Sequence, residues 1–353
     1  MKAALALAAA TLAIATPAGA KVFSQLVVFG DSLADTGNAH YGALGLGLPD
    51  PTPAAVGYYN GRFSNGENHI DYLNRALVGG PSKPFLLGGT NYAVGGARAV
   101  TNADASPDLR AQVGYFGSTP GAVPLDPNAL YFVGFGSNDV RAQMEGTADA
   151  PSTADAINAI LNLVFGLYTG GAHHVFLTNV GDLGTEPVFA GQAAAARTAS
   201  VAFDAALAAG LGSIGAPSTT GTYTLAPGLT FSFFDTLAFG DALKANPTHF
   251  YLHSSLDFTT PCFAVPSALP SCTDYAWADT IHPASGVQRA LGQAELRALG
   301  VPEPAALALL GMGVLGLVRA RRRGWACSPH RLQEHARTRV ACQNHRHRRH
   351  SRE

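Results

Sequence analysis

Charged residues are scarce in this chain of 353 residues: 13% are Asp, Glu, Lys or Arg, whereas 47% are hydrophobic. Such a composition can bury a large core, which excludes a disordered or fibrous protein and favours one domain of catalytic size with terminal appendages. The charges are unevenly placed, because 12 basic and 22 acidic residues precede Arg319, whereas 11 Arg and 2 Glu lie from Arg319 onward. Nucleic acid binds to Lys and Arg clustered on a folded face, so the acidic body argues against nucleic acid as the main partner.

Cysteine is equally scarce, with four residues in the whole chain. A catalytic or zinc-binding cysteine needs thiol or His partners closer than this sequence offers. Cys262 and Cys272 bracket a proline-rich loop, and we expect them to pair as a disulfide in an oxidising compartment. Two free thiols are the alternative.

Residues 1–20 have the pattern of a secretory signal peptide. Lys2 supplies the positive start, residues 3–15 form the apolar stretch, and residues 18–20 (Ala-Gly-Ala) form a small-residue cleavage site. Lys21 is then the expected mature N-terminus, and the protein is expected to be exported. An ordinary core helix is the alternative.

The carboxyl-terminal part begins with Val-Pro-Glu-Pro at residues 301–304, continues with an apolar run over 305–318, and then has an arginine cluster that starts at Arg319. In this order, residues 301–323 resemble the PEP-CTERM sorting signal of Gram-negative bacteria. The resemblance implies a membrane sorting protease as a partner and delivery to the cell surface or the medium. Fourteen apolar residues are fewer than the roughly 20 of a stable bilayer span, which predicts a transient membrane tether at most. A last core helix is the alternative.

Residues 324–353 continue past the point where such signals usually end. They are rich in Arg and His and lack hydrophobic periodicity, which predicts a disordered basic tail. Weak metal binding by its histidines is the alternative to an incidental extension. The predicted organisation is therefore a signal peptide over 1–20, one folded domain over 21–300, a sorting segment over 301–323 and the tail.

Apolar runs alternate with helical patterns through the body of the chain. The candidate strands are residues 23–29, 90–94, 130–135, 174–180 and 229–234, and the candidate helices are 67–77, 108–116, 153–168, 188–211, 239–246 and 284–299. Most of the strands are continuously apolar, as parallel strands buried on both faces are. The alternation predicts an α/β fold with helices on both faces of an open parallel sheet and a ligand crevice at the carboxyl ends of its strands. Residues 42–57 and 248–274 are expected to be long loops over that crevice.

Candidate chemical groups follow three of the strands. Ser32 lies in the string Gly-Asp-Ser-Leu after the first strand, where a tight turn can expose a nucleophilic hydroxyl; capping of the next helix is the alternative. Gly95 and Gly96 follow the second strand and either let the backbone approach a ligand closely or form a plain turn. Asn138 follows the third strand and either donates to a developing oxyanion or shapes a turn.

An Asp-x-x-His pair lies near the end of the domain, at Asp279 and His282. In a turn, this spacing lets the carboxylate orient the imidazole and stabilise its protonated form. A structural or capping role is the alternative. Metal ligation is a further one, although no second acid/His pair lies nearby at ligand spacing.

Four short blocks, around Ser32, around Gly95 and Gly96, around Asn138, and from Asp279 to His282, follow one another in this order. Together they resemble the SGNH hydrolase superfamily, also called the GDSL-type lipases and esterases. Residues 59–66 (Tyr-Asn-Gly-Arg-Phe-Ser-Asn-Gly) also resemble a segment of many members, and the resemblance covers residues 22–299. It implies a flavodoxin-like three-layer α/β/α sandwich with a central, mostly parallel five-stranded sheet.

The resemblance also implies the role of each residue. Ser32 becomes the nucleophile, His282 its general base and Asp279 the residue that orients the base. The oxyanion donors become the Ser32 and Gly96 backbone N–H groups and the Asn138 amide, with Gly95 as a rival to Gly96.

The implied activity is secreted, cofactor-free hydrolysis of carboxylic esters through an acyl-enzyme, on a small-molecule, lipid or acylated-sugar substrate. No metal is needed. Within enzymes, a carbohydrate O-deacetylase or a phospholipase is an alternative to a general esterase. An alternative from another class is a non-catalytic surface polysaccharide-binding or matrix protein built on a hydrolase fold.

Overall fold

A central sheet of five strands organises the part of the chain that the computed structural model describes, residues 23–104 and 106–301. The strands are β1 (Leu26–Gly30), β2 (Leu130–Gly134), β3 (His174–Thr178), β4 (Gly221–Ala226) and β5 (Leu229–Phe234). They lie in the order β1-β2-β3-β5-β4. Four of them are parallel, and β4 pairs with β5 antiparallel at the edge. The predicted signal peptide, the sorting segment beyond Val301 and the basic tail lie outside the described residues.

Eight α-helices accompany the sheet within the described residues. They are α1 (Asn38–Gly45), α2 (His69–Leu77), α3 (Leu109–Ser118), α4 (Ser137–Glu145), α5 (Thr153–Thr169), α6 (Ala193–Ser213), α7 (Thr236–Ala245) and α8 (Ser285–Ala298). In this part of the chain, none has both the length and the apolar character that a membrane crossing requires.

The helices form a layer on each face of the sheet. Every residue of β1 is therefore buried, and its side chains alternate between two cores. Val27 and Phe29 pack in the core beneath α3, α5 and α6. Leu26 and Val28 pack in the core beneath α2 and α8. The predicted three-layer α/β/α sandwich with a mostly parallel five-stranded sheet is confirmed.

The predicted strand at residues 90–94 is not a strand of this sheet. The segment lies beside β1 with a single parallel bridge, between Val28 and Asn91. Its backbone bonds to β1 at three points: the Val28 N–H donates to the Thr90 carbonyl, the Tyr92 N–H to the Val28 carbonyl and the Val94 N–H to the Gly30 carbonyl. The Gly30 N–H donates instead to the Gln112 side chain at 3.0 Å, and the Asn38 amide bonds to the Asn91 and Ala93 carbonyls. The prediction of a regular strand was therefore wrong, although the segment is extended.

Three elements were not predicted from hydrophobic patterning. β4 is polar and only partly buried, and it forms through a two-residue turn at 227–228 that pairs it with β5. α1 occupies part of the predicted loop 42–57 and buries only Asn38, so it lacks the apolar stripe of an ordinary surface helix. α4 is short and mostly polar, so its nine residues carry little periodic signal.

The carboxyl ends of β1 and β2 lie side by side, with Gly30 paired to Gly134. Ser32 follows the first of these ends closely, and Asn138 follows the second as part of the first turn of α4. The sheet therefore brings these two candidate side chains to the same edge.

Candidate active site

Ser32 lies in a tight turn directly after β1. The Ala34 and Asp35 N–H groups both donate to the Asp31 carbonyl, and the Asp31 side chain accepts from the Leu33 N–H at 3.0 Å. These bonds hold the backbone around Ser32 while its own N–H has no acceptor among the described residues. The turn therefore presents both the hydroxyl and the N–H of Ser32 at the edge of the sheet.

His282 completes a hydrogen-bonded chain with Ser32 and Asp279. Its Nε2 lies 2.8 Å from Ser32 Oγ, and its Nδ1 lies 2.7 Å from Asp279 Oδ2. Ser32 and His282 are 250 residues apart in sequence, yet both are buried beside a cavity. The arrangement has the donor and acceptor order of a nucleophile, a base and an orienting carboxylate.

Asp279 is held as a carboxylate by several donors. Its Oδ1 accepts from the Ile281 and His282 N–H groups at 2.8 and 2.7 Å, which closes the turn between the two residues. Burial by itself acts to raise the pKa of Asp279, but the neighbouring His282 and the hydrogen bonds outweigh burial and lower the pKa to about 2. Asp279 therefore stays ionised beside the imidazole at neutral pH.

Tyr58 is a member of the site that the sequence did not indicate. Its hydroxyl donates to Asp279 Oδ2 at 2.7 Å, the same oxygen that bonds His282 Nδ1. Burial and the negative charge of Asp279 raise the pKa of Tyr58 above its ordinary value, so the phenol remains a donor. A lone Tyr beside the recognised block 59–66 carries no sequence signal for this role.

The block 59–66 supports the base rather than the nucleophile. The Phe63 ring lies 4.9 Å from the His282 ring, centroid to centroid. Ser64 Oγ donates to the Pro283 carbonyl at 2.9 Å, and Asn65 Oδ1 accepts from the Ser285 N–H at 2.8 Å. These contacts fix the backbone on the carboxyl side of His282.

The disulfide between Cys262 and Cys272 lies next to this loop, with its Cα atoms 5.6 Å apart. Cys262 N–H donates to the Trp277 carbonyl, and Phe263 N–H donates to the Ala278 carbonyl, each at 2.9 Å. Residues 277–278 lead directly into Asp279, so the cross-linked loop supports the backbone from which the carboxylate extends.

The two candidate glycines differ in what their N–H groups do. Gly95 N–H donates to the buried Asp35 carboxylate at 2.9 Å, whereas none of the described residues accepts from Gly96 N–H. Gly95 has no room for a side chain, because an added Cβ would lie 2.4 Å from the Phe63 ring; Gly96 has a φ of +84°, which favours glycine.

Burial raises the pKa of Asp35 to about 6, against the effect of its four backbone hydrogen bonds.

Asn138 lies on the same cavity wall as Ser32 and Gly96. Its Nδ2 donates to the Ala97 carbonyl at 2.9 Å, which orients the amide and leaves its second hydrogen. The next residue, Asp139, is buried and accepts from the Ala99 N–H at 2.9 Å. The end of the glycine segment and the start of α4 are thus tied together.

A cavity of about 1070 Å³ opens beside Ser32 and His282. Its walls are mostly apolar side chains, which come from α1 and the loop after it, from α3, and from the segments around residues 63, 85 and 94: Tyr41, Leu46, Leu48, Pro49, Pro51, Phe63, Phe85, Leu86, Val94 and Tyr115. Among the described residues that line it, Arg141 is the single Asp, Glu, Lys or Arg, and its guanidinium pairs with Glu186 at 2.7 Å. An apolar group bound next to Ser32 would therefore be desolvated on most sides.

Within residues 23–104 and 106–301, no three His, Cys, Asp or Glu side chains cluster in a way that could hold a metal ion. The His and Asp side chains described above are instead paired with one another, with Ser32, with Tyr58 or with the backbone.

Comparison with known proteins agrees with this geometry. The family model of GDSL-like lipases/acylhydrolases matches residues 26–294, about three quarters of the chain. The chain belongs to this family. A second match, over residues 300–323, is to the PEP-CTERM protein-sorting motif, so the predicted sorting segment is confirmed as a motif of the sequence.

Two curated relatives resemble part of this GDSL-family chain. Lipase 1 of Photorhabdus luminescens is 33% identical over 179 residues, which are 50% of this chain and 25% of that protein. Phosphatidylcholine-sterol acyltransferase of Aeromonas hydrophila is 33% identical over 173 residues, 47% of each chain. The matches therefore span less than half the length of these relatives.

Among solved structures, a catalytic mutant of an acetylxylan esterase from Geobacillus stearothermophilus aligns over 80% of this chain and 96% of its own. The identity is 16% and the TM-score 0.43, which is too loose a likeness to support an argument about substrate.

Proposed function

We propose that this chain is a serine hydrolase that cleaves carboxylic esters through an acyl-enzyme, with Ser32 as nucleophile, His282 as base and Asp279 as the residue that orients the base. One observation carries the proposal: Ser32 Oγ lies 2.8 Å from His282 Nε2 beside the cavity, and Asp279 bonds the other ring nitrogen. Membership of the GDSL-like family supports it.

In the first half of the reaction, Ser32 Oγ attacks the ester carbonyl carbon while His282 Nε2 takes the hydroxyl proton. The ionised Asp279 stabilises the imidazolium that forms. Tyr58 donates a hydrogen bond to Asp279 Oδ2, the oxygen that also bonds His282, and so holds the carboxylate in place. The imidazolium then gives its proton to the departing alkoxide, and the alcohol leaves as the acyl-enzyme forms.

In the second half, His282 takes a proton from water, and the oxygen of that water attacks the acyl carbon. The tetrahedral intermediate collapses, Ser32 Oγ recovers the proton from His282, and the carboxylic acid is released. No other reactant is required, because one ester and one water give one alcohol and one carboxylic acid, and Ser32 and His282 return to their starting states.

The negative oxygen of both intermediates needs donors that are already in position. The backbone N–H groups of Ser32 and Gly96 and the second amide hydrogen of Asn138 are the donors we propose. The engagement of Gly95 N–H by Asp35 at 2.9 Å supports Gly96 over Gly95 for this role.

We further propose that the substrate is an ester with an apolar acyl chain rather than an acetylated sugar. The walls of the cavity beside Ser32 carry few groups that could bond to sugar hydroxyls, whereas Leu46, Leu48 and Phe85 offer contacts to a hydrocarbon chain. The printed names of the two curated relatives, a lipase and a phosphatidylcholine-sterol acyltransferase, agree with a lipid ester.

A panel of p-nitrophenyl esters from acetyl to dodecanoyl, together with acetylated xylan, tests both statements. We expect kcat/KM to rise with acyl length up to at least the octanoyl ester and acetylated xylan to be a poor substrate. Preference for acetylated xylan would overturn the substrate class and leave the chemistry intact.

The chemistry is tested with Ser32→Ala, which is expected to lower kcat/KM by about 10⁴-fold or more. Ser255→Ala, which changes an exposed serine outside the cavity, serves as the matched control and should keep the wild-type rate. A fluorophosphonate probe should label Ser32 in the wild type. A fully active Ser32→Ala chain would exclude Ser32 as the nucleophile. A wild-type chain that hydrolyses no ester and is not labelled by the probe would favour the non-catalytic alternative.

The sorting motif at 300–323 supports export to the surface of a Gram-negative cell, with a membrane sorting protease as partner. Fractionation of a strain that produces the chain is the test. Retention of the intact chain in the cytoplasm would contradict this proposal.

A further inference from the structure

Five leucines with exposed side chains lie on the segments that form the wall of the cavity beside Ser32. Leu44, Leu46, Leu48, Leu86 and Leu87 are 52%, 76%, 48%, 45% and 43% exposed, and we refer to them as the leucine rim. Leu46, Leu48 and Leu86 also line the cavity, whereas Leu44 and Leu87 lie outside it. The rim is thus continuous with the interior wall next to the nucleophile.

The segments that carry the rim contact one another. The Leu86 N–H donates to Asn38 Oδ1 at 3.3 Å, which ties its loop to the start of α1. The Leu48 N–H donates to the Ala43 carbonyl at 2.8 Å and folds the loop after α1 back onto the helix. Phe85 stacks on Tyr115 of α3, with ring centroids 5.1 Å apart.

These segments are poor in charged side chains, and His40 of α1 pairs with Asp50 at 2.8 Å. Residues 38–49, 84–90 and 111–119 contain no Lys, Arg, Asp or Glu, although the whole chain has 47 such residues. Single exposed leucines are common on soluble proteins, but several exposed leucines on neighbouring segments at a cavity are typical of an interaction site.

We propose that the leucine rim docks the protein on a neutral or zwitterionic lipid surface. The proposal rests on the proposed function, since a chain drawn from that surface would pass along Leu46, Leu48 and Leu86 into the cavity without crossing water. The net charge of the body favours a neutral or zwitterionic lipid over an anionic one. The body has 12 basic and 22 acidic residues before Arg319, so it is repelled by an anionic surface, and the leucine rim contains no Lys or Arg that would attract one. Apolar contact alone then drives the binding.

The first arm of the test measures binding without turnover. The full chain carrying Ser32→Ala is floated with vesicles of phosphatidylcholine, and the same chain with Leu44→Glu and Leu87→Glu is compared. Both leucines lie outside the cavity, so its lining is unchanged. We expect the partition coefficient to fall at least tenfold in the double variant.

The matched control places the same two charges elsewhere, as Phe165→Glu and Val201→Glu. These side chains are 64% and 45% exposed on α5 and α6 and do not line the cavity. The control should bind the vesicles as the parent does. Equal binding by the rim variant and its parent would overturn the proposal, as would a parent chain that does not float; a rim variant that only changes the sedimentation mass would show that a second copy of the chain covers the rim.

The second arm uses chains with Ser32 intact. The rim variant should hydrolyse soluble p-nitrophenyl butyrate within twofold of the wild type, but its rate on a dispersed long-chain ester should fall at least tenfold. Equal losses on both substrates would overturn the docking role. If the wild type hydrolyses no ester at all while flotation still depends on the rim, the proposed function fails and the docking surface stands.

Discussion

Gln112 offers the sharpest test of how the fold positions the nucleophile. It lies on α3, is fully buried, and bonds to Gly30, the residue that ends β1 just before the Ser32 turn. Its Oε1 accepts from the Gly30 N–H at 3.0 Å, and its Nε2 donates to the Gly30 and Pro107 carbonyls at 2.8 and 3.0 Å. The side-chain amide thus provides the acceptor for the Gly30 N–H that residues 90–94 do not provide.

The size of the effect of Gln112→Leu follows from which groups lose their partners. The Gly30 carbonyl retains a bond from the Val94 N–H at 3.1 Å. The Gly30 N–H and the Pro107 carbonyl lose the partners that Gln112 provides. An unsatisfied buried polar group costs about 1–3 kcal/mol, and Leu nearly preserves the volume, so for the two groups together we expect the free energy of unfolding to fall by about 2–6 kcal/mol.

Urea unfolding followed by circular dichroism measures that loss, and ester hydrolysis at saturating substrate measures the accompanying change in kcat. Gln143→Leu is the matched control, because Gln143 is only partly buried and has one short hydrogen bond, from its Nε2 to the Pro151 carbonyl at 2.8 Å. The control should lose no more than about 1 kcal/mol.

Catalysis separates a positioning role from a purely structural one. If Gln112 aligns the turn, kcat should fall in buffer without denaturant, where both variants are folded, while KM changes little. A Gln112→Leu chain that is as stable as the control and retains the wild-type kcat would refute the reasoning.

Three further predictions follow from the site and its surroundings. Asp279→Asn should lower kcat by about 10⁴-fold with little change in KM, because the imidazole loses its orienting charge; a loss of less than tenfold in an ester assay would contradict this. Burial raises the pKa of Glu186 to about 7 and that of Asp204 to about 8, so the native state binds protons more tightly than the unfolded chain. The free energy of unfolding should therefore fall as the pH rises from about 5 to about 9, by up to about 1.4 kcal/mol per unit for each group; a rise over that range in urea titrations would contradict the assignment. Replacing both Cys262 and Cys272 by Ser opens a loop with a sequence separation of 10 and should cost about 3 kcal/mol in the chain-entropy account; the urea midpoint should shift to match, and dithiothreitol should lower the wild-type midpoint similarly.

Much of the sheet could be predicted because its strands are buried on both faces. The segments that form β1, β2, β3 and β5 are mostly apolar, because a strand buried on both faces requires apolar side chains on both faces. This pattern can be read from the sequence itself. β4 and α1 could not be predicted in this way, because an edge strand and a helix that buries one residue impose no such pattern. Residues 90–94 misled the prediction for the opposite reason. The run is apolar, extended and bonded to β1 by three backbone hydrogen bonds, but the Gln112 side chain takes the Gly30 N–H, so the pairing is not regular enough to form a strand.

Residue type and local order marked Ser32, Asp279 and His282 as candidates, because each stands in a short string that follows a strand or closes a turn, and the resemblance to a known family implied their roles. The distances between them were decided only by the tertiary structure, since no local pattern states that positions 32 and 282 meet at 2.8 Å. The choice between Gly95 and Gly96 likewise depended on where the Asp35 carboxylate lies, and the role of Tyr58 on its contact with Asp279. A hydrogen bond depends on the positions of its two groups in space. The role of a side chain whose partner is distant in sequence therefore cannot be predicted from the residues around it.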